Sequence, residues 1–305
     1  MPDPLQICGC DILGRIATGG LSTVYAALRR GPGGFVKRVA IKQLHPGLHA
    51  REARERFAGE ACLAARLQHP NIVSVFGFET DGETFNIVME YIHGCNLAAL
   101  MKTHGRSPPA LALLITSKVL YALEAVHGHS DWPGEPGMVI HRDLSPKNIL
   151  LSENGEVKIT DFVKITESGL ALTVGDGTKG SVRHTTPRPT DPRSDLYAVG
   201  VVLYELLTGR KPYPDKSEMA FASGVRPRTP RGLSMVDVPD DLQPLLRRAL
   251  AQGPRGRYPD AAAFRYEVDR CLERQERQER PSTALGTVVC PLAPRFPARE
   301  SCARS

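Results

Sequence analysis

One segment of the sequence constrains the fold most, the run His141-Arg142-Asp143-Leu144-Ser145-Pro146-Lys147-Asn148. It is followed by a predicted strand hairpin over residues 148–159 and then by Asp161-Phe162. A carboxylate, an amide oxygen and a second carboxylate together supply hard oxygen ligands for magnesium and a general base. Chance would rarely produce all of these residues in this order at these separations.

The first third of the chain is predicted to form short strands, and the remainder is largely helical. Strands are predicted near residues 12–17, 24–28, 36–44, 72–78 and 84–89, with one helix over 51–67 between them. Further helices are predicted over residues 110–127, 195–208, 240–251 and 261–274. This order indicates an α+β fold with a small β-rich part and a larger helical part.

Composition favours a globular protein of the cytoplasm. The 305 residues are 41% hydrophobic and 24% charged, and the N-terminus lacks a secretory pattern. The net charge is +6, and the basic residues are scattered among acidic ones. This distribution favours a mildly basic surface over a nucleic-acid-binding site. No run of 18 apolar residues predicts a membrane span, and seven irregularly spaced cysteines favour reduced thiols.

Two weaker motifs lie in the β-rich part. The segment from Ala17 to Val24 contains Gly19-Gly20 between two strands, and small residues there would let the backbone approach a phosphate. A plain hairpin turn would explain the same glycines. Lys42 alternates with apolar residues on a predicted strand and could reach a cleft, with Glu60 as its carboxylate partner, although most single lysines face solvent.

Taken together, these motifs resemble the eukaryotic-like protein kinase family, specifically the bacterial serine/threonine kinases, over roughly residues 11–272. The resemblance implies a two-lobed kinase fold. Its expected parts are a leader over residues 1–10, an N-lobe over 11–92, a C-lobe over 93–274 and a flexible tail over 275–305.

The resemblance also implies a role for each matched residue. Asp143 would accept the proton of the substrate hydroxyl, and Lys42, positioned by Glu60, would contact the α- and β-phosphates of ATP. Asn148 and Asp161 would hold Mg²⁺. The residues implied to surround the nucleotide are Ile16, Ala17, Gly19, Gly20 and Ser22 at the phosphates, Val24, Ala40 and Leu150 at the purine, and Met89, Glu90, Tyr91 and Ile92 in the hinge.

Four positions depart from the family pattern. Ala17 replaces the first glycine of the phosphate loop, and Val163 replaces the glycine expected after Asp161-Phe162. Ser145 replaces a lysine that would stabilise the transferring phosphoryl group; Lys147 could supply that cation or could be a plain surface lysine. Arg188 replaces a glutamate expected to pair with Arg257, so one of the two cations is expected to move into solvent.

The expected function is therefore transfer of the γ-phosphoryl group of ATP to serine and threonine hydroxyls of protein substrates. Mg²⁺ is the expected cofactor, and neither nucleic acid nor membrane is an expected partner. Because of Ser145, Val163 and Arg188, the alternative is a pseudokinase that binds nucleotide or a protein partner with little or no turnover.

Overall fold

The computed structural model describes residues 5–45, 51–128, 130–132, 135–162, 191–212 and 234–278. They fall into two compact units. The first comprises residues up to 68 and 73–93, and the second comprises residues 69–72 and those from 94 onward.

The elements of the first unit are β1 (Gln6–Ile7), β2 (Cys10–Thr18), β3 (Ser22–Arg30), β4 (Val36–Leu44), α1 (Arg51–Ala64), β5 (Val75–Asp81) and β6 (Thr84–Glu90). Those of the second are β7 (Gly94–Asn96), α2 (Leu97–His104), α3 (Pro109–His127), β8 (Ser130–Trp132), β9 (Glu135–Met138), β10 (Ile149–Ser152), β11 (Val157–Ile159), α4 (Arg193–Thr208), α5 (Gln243–Ala249) and α6 (Ala261–Gln278).

The first unit is one antiparallel sheet with strand order β1-β2-β3-β4-β6-β5. The sheet curls until its two ends meet, since the backbone N–H of Cys8, after β1, donates to Asp81 Oδ2 on β5 at 3.1 Å. One face carries a closed apolar cluster that includes Ile7, Ile12, Val39 and Val88. Strand β1 therefore helps to cover the core on this face.

The other face of the sheet carries helix α1. Phe57 and Ala61 of α1 pack with Leu44 and Ile87 of the sheet. Because side chains alternate along a strand, Lys42 shares this face with Leu44 and is separated from the opposite core.

The core of the second unit is formed by α3, α4 and α6. Every residue of α4 from Ser194 to Thr208 is buried. Helix α3 is joined to α6 by a hydrogen bond from Ser117 Oγ to Asp269 at 2.5 Å and by the Glu124–Arg265 ion pair, also at 2.5 Å. Strands β11, β10 and β7 form a small antiparallel sheet that presents the loop before β10.

By length and composition alone, α3 could cross a membrane, with a mean hydropathy of 1.5 over an 18-residue window. It is the one helix among the described residues that passes this test, although the sequence contains no unbroken apolar run of that length. Buried residues make up 61% of the window, as a central core helix requires, so the result is weak evidence for a membrane span.

The structure differs from the sequence predictions at several places. The strand predicted over 72–78 runs from Val75 to Asp81, and the helix predicted over 51–67 ends at Ala64. The sheet begins at Gln6, inside the predicted leader, because Ile7 and Cys10 are buried in the core. The predicted helix over 240–251 starts as a 3₁₀ turn and becomes α-helical only from Gln243. Helix α6 continues to Gln278, past the predicted start of the tail, because Gln275 is still buried and donates to Asp241 at 2.9 Å.

Candidate active site

Lys42 and Glu60 form an ion pair in the first unit. The Lys42 Nζ lies 2.5 Å from Glu60 Oε1, with β4 supplying the lysine and α1 the carboxylate. Both side chains are mostly shielded from solvent, which makes such a pair stronger than one on the open surface. The pair holds the ammonium group at one position on the face that it shares with α1.

Other predicted nucleotide-binding residues share that sheet face. Val24 lies opposite Lys42 on the neighbouring strand, and Ala40 lies opposite both Ala26 and Met89. Directly opposite residues in a sheet project to the same side. Val24, Ala40, Lys42 and Met89 therefore form one small patch of this face, three members of which are apolar.

The predicted phosphate-binding residues lie in the β2–β3 turn and at the ends of the two strands beside it. Gly19 N–H donates to the carbonyl of Ser22 at 2.8 Å, so the glycines make a hairpin turn, as one of the two interpretations proposed. Ile16, Ala17, Gly19 and Gly20 are all exposed. A turn of small, exposed residues leaves its backbone accessible to an anion, so both interpretations of this segment stay compatible.

The predicted hinge follows β6. Met89 is buried, and the N–H of Glu90 donates to the carbonyl of Ser74 at 2.8 Å. Adenine would therefore have to bind the remaining backbone groups of residues 89–92. Tyr91 and Ile92 are half-buried. Leu150, the third predicted purine contact, lies on β10 in the second unit.

In the second unit, a buried carboxylate holds loop 141–148 in place. Asp195, at the start of α4, accepts hydrogen bonds from the backbone N–H of His141 at 2.8 Å and of Arg142 at 2.9 Å. His127, at the end of α3, lies 2.9 Å from the same carboxylate. One side chain thus joins two helices to the loop that carries Asp143.

The electrostatics of Asp195 follow from these contacts. Burial alone would raise the pKa of this carboxyl, but the hydrogen bond and charge of His127, the charge of His141 and the N–H of Arg142 hold the pKa below its ordinary value. The group is therefore an anion at neutral pH despite complete burial. The ionised form is the one that accepts all three hydrogen bonds.

Loop 141–148 is also joined to the segment that carries Asp161. His141 Nε2 lies 3.0 Å from the carbonyl of Thr160, and the His141 ring packs on buried Phe162 with centroids 4.7 Å apart. The N–H of Thr160 donates to the carbonyl of Asn148 at 3.0 Å. These contacts join the segment that carries Asp143 and Asn148 to the segment that carries Asp161.

Asn148 has a defined orientation. Its Nδ2 donates to the carbonyl of Asp143 at 2.8 Å and to Asp143 Oδ2 at 3.1 Å. Both acceptors require the amide nitrogen, so the amide oxygen is the atom left to face a metal. An amide oxygen and the Asp161 carboxylate suit Mg²⁺, which keeps waters and phosphate oxygens as its other ligands. The donor set therefore fits the metal that the family implies.

No group of three or more His, Cys, Asp or Glu side chains within the described ranges could hold a metal ion. The five described cysteines are all free thiols.

The backbone is left-handed at two of these positions. Arg142 has φ 63° and Asp161 has φ 66°, and neither is a glycine. Such conformations cost on the order of 1–3 kcal/mol each and persist where surrounding contacts enforce them. The conformation of Arg142 is held by the hydrogen bond from its N–H to Asp195. Thr160, the residue before Asp161, is held by the hydrogen bond from its N–H to the Asn148 carbonyl.

Position 145, where the family pattern has a lysine, carries an uncharged serine in loop 141–148. Ser145 is half-buried and its carbonyl accepts the N–H of Asn148 at 3.0 Å. Lys147 is exposed, and within the described part of the chain it makes no ion pair. Its ammonium is therefore available, two residues further along than the family lysine would be.

Of the two cations Arg188 and Arg257, one was expected to move into solvent, and Arg257 is not that one. It is 6% exposed, and its guanidinium donates to the carbonyls of Ala251, Gln252 and Arg193 at 2.8, 3.2 and 3.0 Å. It also stacks over the ring of Tyr197. Arg257 has not moved into solvent; Arg188 and Val163 lie outside the described residues.

Sequence reasoning gave no role to three residues that shape this site: Asp195, His127 and Thr160. Asp195 carried one signal, an acidic residue in the first turn of a helix that is mostly apolar. Such a residue is rarely buried without partners. His127 and Thr160 act through contacts that local sequence does not encode.

Comparison with known proteins places this geometry in context. The model of a family described as "Protein kinase domain" matches residues 11–267. Serine/threonine-protein kinase PksC of Streptomyces coelicolor is 37% identical over 281 residues, covering 86% of this chain and 48% of PksC. Serine/threonine-protein kinase PknL of Mycobacterium tuberculosis is 34% identical over 286 residues, covering 89% of this chain and 68% of PknL.

A third relative carries a different description. Tyrosine-protein kinase MasK of Myxococcus xanthus is 34% identical over 275 residues, covering 85% of this chain and 42% of MasK. The chain thus spans less than half the length of MasK and of PksC.

Proposed function

The chain belongs to the protein kinase family, and from this premise we propose that it transfers the γ-phosphoryl group of ATP to serine and threonine hydroxyls of proteins. Two of the three relatives described above are serine/threonine kinases by name. The fold of this family, an N-terminal antiparallel sheet followed by a helical region, is the fold of the chain.

The observation that supports the proposal most is the arrangement around Asp143. Asp195 fixes the backbone on its N-terminal side, and Asn148 binds both its carbonyl and its carboxylate. A general base works when it is held within hydrogen-bonding reach of the hydroxyl that it deprotonates. Asp143 is held by groups that are themselves fixed, as a positioned base requires.

The chain's own residues would divide the work as follows. Lys42, held by Glu60, would bind the α- and β-phosphates of ATP and fix their position. Asp143 Oδ would accept the proton of the attacking hydroxyl. Lys147 would face the negative charge that develops on the transferring phosphoryl group, replacing the cation missing at Ser145.

Asn148 and Asp161 would hold Mg²⁺, which neutralises phosphate charge when bound. The orientation of the Asn148 amide supports this role, because its nitrogen is committed to Asp143. Val24, Ala40 and Met89, which share one face of the sheet in the first unit, would give the purine an apolar surface to pack on.

A pseudokinase remains the second candidate, because the cation at Ser145 is missing from the position that the family uses. A chain that keeps the Lys42–Glu60 pair but lacks phosphoryl stabilisation could still bind nucleotide. Val163 and Arg188 support the same alternative on sequence grounds alone.

Both candidates can be separated with the Asp143→Asn variant. Purified protein is incubated with labelled Mg-ATP and a general protein acceptor, and the labelled amino acid is identified by acid hydrolysis. We expect label on serine or threonine in the wild type and a loss of about 10²–10⁴-fold in the variant. Asn keeps the size of Asp143 and the contact with Asn148, so folding should be preserved.

Equal incorporation by wild type and Asp143→Asn would contradict the proposal. If ATP then still raised the thermal midpoint of both proteins, the pseudokinase would be favoured, because a ligand that binds only the folded state stabilises it. Label on tyrosine that depends on Asp143 would keep phosphoryl transfer but refute the choice of acceptor.

A further inference from the structure

The β3–β4 hairpin projects from the sheet of the first unit. The two strands pair from Ser22↔Leu44 to Arg30↔Val36, whereas pairing of β4 with β6 begins only at Val39↔Glu90. On the other side, pairing of β3 with β2 ends at Arg29↔Cys10. Residues 30–38, here called the hairpin tip, therefore extend beyond the paired part of both neighbouring strands.

The end of the tip is apolar and rigid. Phe35 is 58% exposed and Val36 is 48% exposed, although both are large hydrophobic side chains. The turn before them is fixed by hydrogen bonds from Gly31 N–H to the Phe35 carbonyl at 2.8 Å and from Phe35 N–H to the Pro32 carbonyl at 3.2 Å. Single exposed apolar residues are common, but two adjacent ones at the end of a projecting hairpin are not explained by packing.

Four cations surround this apolar end. Arg30 is paired with Asp11 at 2.7 Å, and Arg29 approaches Glu79 at 3.7 Å. Lys37 lies 3.8 Å from the centre of the Phe76 ring, which is itself exposed.

Neither Lys37 nor Arg38 makes an ion pair with any residue of the described ranges. The nearby carboxylate of Glu90 is engaged by the N–H of Ser74 at 3.2 Å. Among the residues that the structure describes, these two cations of the tip thus have no carboxylate partner.

We propose that the hairpin tip docks on the surface of an anionic lipid membrane, with Phe35 and Val36 inserted among the headgroups and Lys37 and Arg38 against the lipid phosphates. The shape of the tip favours a membrane over a peptide as its partner. A projecting hairpin can contact a flat lipid surface, whereas binding of an extended peptide usually requires a groove. Exposed apolar side chains flanked by lysine and arginine are the composition that binds such interfaces.

The proposal goes beyond phosphoryl transfer and does not depend on it. It replaces the expectation that the chain has no membrane partner. Docking by this tip would be peripheral and reversible, because two inserted side chains and two cations provide only modest affinity.

The test is sedimentation of the full chain with vesicles. One set contains phosphatidylcholine alone and the other contains about one-third phosphatidylserine, an anionic composition of the kind such surfaces bind. We expect binding to the anionic set only, weakened by high salt because exposed charges are screened. The double variant Lys37→Glu/Arg38→Glu should lower the partition coefficient more than about tenfold, and Phe35→Ser/Val36→Ser should lower it by about tenfold.

Matched controls come from the second unit. Val236 is 90% exposed, and Arg255 is an exposed cation. Val236→Ser therefore removes an exposed apolar side chain, and Arg255→Glu reverses an exposed positive charge, at sites away from the hairpin tip. Both should sediment like the wild type. All variants change exposed side chains outside the candidate active site, so thermal midpoints and phosphoryl transfer should match the wild type.

Absence of sedimentation with anionic vesicles at low salt would overturn the proposal. Sedimentation that survives both tip variants would do the same, because another surface would then be responsible. Sensitivity to charge reversal without any effect of Phe35→Ser/Val36→Ser would refute insertion, because the tip would then adsorb to the vesicles through its charges alone.

Discussion

At the scale of single residues, Asp195 shows how much of a site can depend on a side chain that never touches substrate. Its carboxylate accepts two consecutive backbone N–H groups of loop 141–148 and contacts His127. The left-handed conformation of Arg142 depends on this arrangement, and Asp143 follows directly. A positioning residue of this kind determines where the base points.

The second residue of interest is Lys147. If it supplies the missing cation, Lys147→Ala should lower kcat by about 10–100-fold with little change in the KM for ATP, because the lost interaction is specific to the transition state. The double variant Ser145→Lys/Lys147→Ala should recover much of that loss. Lys118→Ala, which removes an exposed lysine from α3, serves as the control.

Steady-state kinetics with varied ATP would check this. A Lys147→Ala enzyme with wild-type kcat would show that Lys147 is a surface lysine, the alternative that the sequence left open.

Sequence alone could propose residues for this site more readily than the contacts among them. Lys42 and Glu60 could be proposed because each lies in a recognisable strand or helix pattern, and they are 2.5 Å apart. The hydrogen bonds of Asp195 join positions more than fifty residues apart and leave no periodic pattern. Tertiary contacts of this kind can be read only from the fold.

At the scale of elements, strand and helix boundaries were mostly predictable. Strands β4 and β11 have the bounds that their apolar patterns predicted. Strand β1 was missed because two residues cannot show a periodicity. The helix predicted over 240–251 has a 3₁₀ start because Pro239 precedes it and Pro244 lies in its first turn, and apolar spacing does not register such local breaks.

The approach of β7 to β10 gives a prediction at this scale. A Cβ added at Gly94 would lie 1.8 Å from the carbonyl oxygen of Leu151, so a side chain here must separate the two strands. Gly94→Ala should lower the free energy of unfolding by about 1–3 kcal/mol or more. Gly253→Ala is the control, because its Cβ would meet no atom within 4 Å.

Urea unfolding of the two variants beside the wild type measures this difference. If Gly94→Ala were as stable as Gly253→Ala, the close packing of β7 on β10 would be wrong.

At the scale of the whole molecule, the chain comprises two compact units that contribute different chemistry. The first holds the Lys42–Glu60 pair and the second holds Asp143, Asn148 and Asp161. The expectation of a β-rich part followed by a helical part is confirmed by the fold. The net charge of +6 indicated only a basic surface and could not locate the hairpin tip, because that requires knowing which residues are exposed.

The acid response of the folded chain should reflect Asp195. Its pKa is lowered on folding, so its ionised form contributes stability that is complete above the unfolded-state pKa near 3.8 and is lost as pH falls through the lower folded-state pKa. Asp195→Asn should cost roughly 2–3 kcal/mol at pH 7, because buried N–H groups lose a charged acceptor.

The difference between wild type and Asp195→Asn should stay constant from pH 7 to about pH 5 and shrink below the unfolded-state pKa. Denaturant titrations at several pH values provide the measurement. A difference that grew on acidification would mean that the folded carboxyl has a raised pKa, contrary to its hydrogen bonds.

The enclosure of Arg257 has a consequence for how such a chain can diverge. Three peptide carbonyls and the Tyr197 ring surround its guanidinium. A peptide carbonyl is present whatever the side chain of its residue, so these three acceptors do not depend on the residue types at positions 193, 251 and 252. Those three side chains could therefore vary while the acceptors that hold the arginine stay in place.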